Sequence, residues 1–217
     1  MKSTLGLALL SLVLIVSCKS GDKAVAKVCD EGCPAVDTIR YTINHPLKPE
    51  VYVSMKGCLP DSITWSNEGM SAFHRLKFSD LTGEDIQFNK NGIRFFIKDT
   101  SYVWMLTNNC SNMQGYCSKI SYSMTGKIFR RNSAINNIDP KYKVDESLVA
   151  YTDRGNIFVE DMATGNTAMM TFGKVTDLDF NAMHETLDSV NITPTHIWAK
   201  VLIDKKWTEI QKDIRLE

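Results

Sequence analysis

From residue 39 onward, apolar and polar side chains mostly alternate with a period of two, the pattern of strands with one buried face. Segments 39–43 and 51–55 follow this rule, 63–65, 73–78, 86–88 and 93–97 continue the series, and 120–124, 127–131, 148–152, 157–160, 168–172 and 197–203 are further strand candidates. Asn91-Gly92 marks a hairpin turn after 86–88, because both residue types accept positive φ. Tyr102-Val103-Trp104-Met105-Leu106 is apolar on both faces and predicts a central strand. A last hairpin is expected to turn at Asp204-Lys205-Lys206 into Trp207 to Ile210. One stretch breaks the rhythm: Met183, Leu187 and Val190 stand at helical spacing behind Asn181, a suitable N-cap, and predict a short helix over 181–190. So many strands and one short helix predict a mainly β, antiparallel domain, a sandwich or barrel-like form, with a propeller-like stack as the alternative.

The first 38 residues follow another pattern. After the basic Lys2 the chain runs apolar from Leu5 to Val16, softened only by Gly6, Ala8 and Ser11, and ends in Ile15-Val16-Ser17-Cys18. A basic start, an apolar stretch and a small residue before the cut describe an export signal. About a dozen apolar residues reach only some 18 Å, short of the roughly 20 residues a spanning helix needs. The last four residues resemble the lipobox of bacterial lipoproteins. That resemblance implies cleavage before Cys18, acylation of Cys18 and a bacterial envelope address. Lys19 differs from the aspartate that keeps some such proteins at the inner membrane, which favours the outer membrane. The expected division is a signal peptide over 1–17, the lipidated cysteine and tether over 18–38, and a β-rich extracytoplasmic domain over 39–217. The polar, small residues after Cys18 suit a flexible leash.

Composition narrows the partners. With Lys2 removed, 24 basic side chains face 25 acidic ones, and no block of like charge occurs. This balance argues against nucleic acid and leaves the lipid anchor as the membrane contact. Five cysteines follow Cys18: Cys29, Cys33, Cys58, Cys110 and Cys117. In an oxidising compartment their default is disulfide pairing, with one left over. A local staple between Cys110 and Cys117 is expected, and Cys58 with Cys29 or Cys33 would fasten the start of the domain. Cys29-x-x-x-Cys33 has the wrong spacing for a redox Cys-x-x-Cys, and no histidine stands at zinc-finger distance.

The run Leu148 to Asp161, with Asp153-Arg154-Gly155-Asn156 between two apolar strands, resembles one blade of a TolB-type β-propeller, and Ile93 to Trp104 echoes it faintly. The resemblance implies a hairpin there, and a propeller if further blades exist.

Candidate chemistry is sparse. His184, Glu185 and Asp188 would share a face of the expected helix and could hold a divalent metal. Position 188 is aspartate where His-Glu-x-x-His needs histidine. No Gly-x-Ser-x-Gly, Ser-x-x-Lys or phosphate-cradling glycine loop is present, and no cofactor is implied. Trp65, Trp104, Trp198 and Trp207 are candidates for a sugar- or peptide-binding platform or for core packing. The expected function is a non-enzymatic envelope lipoprotein that binds a protein, glycan or small ligand, or a structural component of an envelope assembly. The alternative is a metal-dependent hydrolase using the 181–190 helix.

Overall fold

The computed structural model describes residues 38–56, 59–87, 93–123, 127–135, 139–172 and 183–217. The first sheet contains β1 (Thr38–Thr42), β2 (Glu50–Lys56), β3 (Leu59–Ser66) and β4 (His74–Lys77), adjacent in that order. A helical turn, α1 (Ser79–Thr82), leads to the second sheet of β5 (Arg94–Ile97), β6 (Tyr102–Asn109), β7 (Gln114–Ser121) and β8 (Phe129–Ser133), again in chain order. β9 (Tyr142–Val144) leaves for the fourth sheet, while β10 (Leu148–Asp153), β11 (Asn156–Asp161) and β12 (Thr167–Thr171) form the third. After α2 (Met183–Thr186), the fourth sheet adds β13 (Leu187–Thr193), β14 (His196–Ile203) and β15 (Lys206–Asp213), in the order β15-β14-β13-β9. Each pairing is antiparallel except β9 with β13, and none of the four sheets closes into a barrel. The mainly β, antiparallel character follows the alternation in the sequence, while the barrel-like form does not occur.

Three apolar layers hold the sheets face to face in series. Val51, Val53, Ile63 and Trp65 of the first sheet meet Val103, Met105 and Ile120 of the second. Trp104, Leu106 and Cys117 on the opposite face of the second sheet meet Val149 and Met162 of the third. Leu148, Ala150, Ile157 and Val159, on the third sheet's other face, meet Val190, Ile192, Ile197 and Ala199 of the fourth. The described sheets thus stack in a sandwich-like arrangement, each pair of neighbours sharing one apolar layer. β6 is central because its odd residues serve one layer and its even residues the other, which is why it reads as apolar throughout. β10 repeats the device one sheet later.

Several boundaries differ from the sequence expectation. The helix predicted over 181–190 is one turn, and residues from Leu187 belong to β13. The register slips between Leu187 and Ser189, so a bulge inserts one extra residue there. Leu187 and Val190 therefore both face the core at a spacing of three, which imitates helical periodicity. The strand expected at 120–124 is the end of β7, and residues 86–87 form no strand. The hairpin expected at Asn91-Gly92 lies outside the described residues, as does Asn181. The β10–β11 hairpin turns at Arg154-Gly155 with φ of 47° and 76°, the two positive-φ positions that the strand twist requires. Asp204-Lys205 does the same between β14 and β15, with φ of 48° and 61°.

Candidate functional site

A cleft of about 470 Å³ opens where the inner edges of the sheets meet, a volume suited to a small ligand or a short piece of chain. One wall is the edge strand β5, contributing the consecutive residues Arg94, Phe95 and Phe96. The other is Leu148 and Ala150 of β10, the edge strand of the third sheet. Trp104, Leu106 and Met162 reach it from the layer between the sheets, and Tyr41, Val144 and Glu146 complete the lining. Phe95 packs on Tyr41 with ring centroids 4.0 Å apart. Burial pushes the Tyr41 phenol up to about 12, so it stays neutral and hydrogen-bonding at physiological pH. Arg94 and Glu146 are exposed, opposite in charge and in no ion pair among the described residues. The indole N–H of Trp104 is buried and meets no acceptor at hydrogen-bonding geometry among the described residues.

Next to the cleft, the second and third sheets are clamped electrostatically. Lys119 Nζ of β7 lies 2.7 Å from Glu160 Oε1 of β11, with the two side chains 30% and 13% exposed. The same ammonium sits 4.3 Å from the Tyr102 ring centroid and 5.1 Å from that of Trp104. The Tyr102 hydroxyl donates to the Met162 carbonyl at 2.6 Å. These contacts tie β6 and β7 to β11 and hold the cleft's floor.

Apart from Trp104, the residues singled out by sequence do not line the cleft. Cys18, Cys29, Cys33 and Cys58 lie outside the described residues. The expected staple between Cys110 and Cys117 is absent. Cys110 is disulfide-bonded but not to Cys117, whose thiol is free and buried within β7. Cys117 points into the layer between the second and third sheets, where burial pushes its thiol far up from the ordinary value. The strand that carries Cys117 begins at Gln114, so the residue belongs to the core rather than to a loop. The His184 side chain lies outside the described atoms, and Glu185 is exposed on α2. Asp188 is on β13, not on the helix, so the shared helical face does not form. Its carboxylate accepts from Ser189 Oγ at 3.0 Å and faces Lys200 Nζ at 3.6 Å. Among the described residues no three His, Cys, Asp or Glu side chains converge as metal ligands.

The tryptophans divide. Trp65 and Trp104 are core residues, 4% and 1% exposed, and Trp65 stacks on His74 at 5.1 Å. Trp198 and Trp207 belong to the last hairpin, with Trp207 47% exposed. Only Trp104 joins the cleft. Sequence reading missed the cleft because Arg94, Phe95 and Phe96 look like one more alternating strand, and Val144 and Glu146 carry no motif. No protein-family model, curated protein or solved structure matches the chain.

Proposed function

We propose that the chain is an envelope lipoprotein, tethered through Cys18, whose β domain binds a ligand in the cleft between β5 and β10. The observation that carries the binding role is the cleft itself: an aromatic hollow of about 470 Å³ whose charged lining residues, Arg94 and Glu146, are in no ion pair among the described residues. An apolar hollow with a few polar groups is the ordinary form of a small-ligand site. The address rests on the run from Lys2 to Cys18, and the disulfide state of Cys110 accords with an oxidising compartment. Acyl chains on Cys18 would keep the cleft close to the membrane surface, where its partner is an envelope protein, a glycan or a small amphipathic molecule.

Two measurements test this. Intact mass spectrometry from the native membrane should give the chain from Cys18 plus acyl groups; an unlipidated mass retaining residues 1 to 17 would overturn the address. For the cleft, an anionic dye, 1-anilinonaphthalene-8-sulfonate, and a neutral one, N-phenyl-1-naphthylamine, are titrated into wild type and Arg94→Glu. Arg94 is exposed, so the charge reversal should leave the fold intact. The expected result is that both dyes bind wild type and that the variant loses about tenfold in affinity for the anionic dye alone, the effect of one charge contact reversed. Failure of both dyes to bind would refute the cleft as a ligand site.

A further inference from the structure

The main-chain geometry of the cleft says more about its occupant than the side chains do. In an antiparallel ladder, directly opposed residues alternate between pairs that exchange hydrogen bonds and pairs whose N–H and C=O turn away. Tyr122 N donates to Ser101 O at 3.1 Å, one step beyond the pair Tyr102 and Ser121, so the odd residues of β6 bond to β7. The even residues Trp104 and Leu106 therefore bond to their β5 partners Phe96 and Arg94. Phe95, between them, turns its N–H and C=O outward along the edge of the sheet.

Across the cleft, β10 shows the same alternation. The two-residue turn at Arg154-Gly155 makes Asp153 and Asn156 the closing pair, so the odd residues of β10 bond to β11. In agreement, Leu148 N donates away from β11 to Asp145 O at 3.0 Å, and Thr152 N to Ser133 Oγ at 3.2 Å. Ala150 lies between these two, and its outward N–H and C=O meet no partner among the described residues. Phe95 and Ala150 both line the cleft.

We infer that the occupant is an extended peptide, pairing its main chain with the open edge of β5 at Phe95 and laying side chains against Phe96, Trp104 and Leu106. An unpaired strand edge is a template for another strand, and peptides are held this way by main-chain hydrogen bonds. Three consecutive residues of β5 line the cleft, which means that it runs along the strand edge rather than over one face. Arg94 and Glu146 complement the carboxylate and ammonium groups that a peptide offers at its termini or in its side chains. A lipid acyl chain would leave the outward N–H and C=O of the strand edge without matching donors and acceptors. The inference rests on the cleft being the binding site.

The test uses the full chain in detergent micelles and a displayed library of random linear dodecapeptides, followed by synthesis of an enriched peptide with each amide N-methylated in turn. The expected result is enrichment that Arg94→Glu alters, and a two-residue rhythm in the methyl scan. Methylation at alternate positions should weaken binding about tenfold, the loss of one hydrogen bond with its acceptor left unsatisfied, and intervening positions should tolerate it. No enriched peptide, or a uniform response to methylation, overturns the inference. If the dyes still bind in that case, the cleft remains a ligand site and only the peptide is excluded; if they do not, both fall.

Discussion

Removing the Lys119 ammonium should cost far more than an exposed ion pair would. Glu160, 13% exposed, would be left without its cation, in a layer already filled by Trp104, Cys117 and Met162. Breaking a fully buried pair costs about 3–5 kcal/mol, whereas exposed pairs contribute about 0–1. Lys119 is 30% exposed, so water screens part of the charge and the expectation falls between the two. The two aromatic faces beneath the ammonium add roughly 0.5–1 kcal/mol of cation–π attraction at such a partly wet site. Lys119→Met, which keeps the stem's packing, should therefore destabilise the domain by about 2–3 kcal/mol, or roughly 5–10 °C in melting temperature for a domain of this size. Equilibrium urea unfolding followed by tryptophan fluorescence measures it. The double variant Lys119→Met with Glu160→Met removes both charges and should recover most of the loss, since apolar replacement of a buried pair is often neutral. A single-variant loss below about 0.5 kcal/mol would refute the clamp, because only a solvated pair behaves so. A double variant as unstable as the two single losses added together would refute the charge-burial account.

Other expectations concern the second sheet. A Cβ on Gly115 would lie 2.2 Å from the Ile135 carbonyl oxygen, a main-chain atom that cannot step aside, so Gly115→Ala should destabilise by at least about 2 kcal/mol; a melting temperature within a degree of wild type would contradict it. Thr107 is fully buried with its hydroxyl unpartnered, so Thr107→Val, similar in shape, should be neutral or stabilise by about 1 kcal/mol in the same urea assay. A loss instead would show that the hydroxyl is satisfied. Burial holds Cys117 as a neutral thiol, so it should resist an aromatic disulfide reagent at pH 8 in the folded protein and react promptly in urea; rapid labelling of the native state would contradict its placement.

Alternation alone was enough to show that the domain is mainly β, and a run apolar on both faces marked β6 as internal, because a strand's side-chain period is two whatever the fold around it. The dipeptides Arg154-Gly155 and Asp204-Lys205 sat where the hairpins turn. Tertiary structure decided what local pattern could not. The bulge at Leu187 to Ser189 puts two apolar residues three apart and imitates a helix, and only pairing with β14 reveals the strand. Cys117 reads as half of a loop staple until its place in the β7 ladder puts it in the core. The cleft was hidden for the same reason: Arg94, Phe95 and Phe96 share a cleft with Glu146, Leu148 and Ala150 only because of the way the second and third sheets pack. A sequence records which face of a strand is apolar; which edge is left unpaired, and what stands opposite it, is set by how the sheets pack.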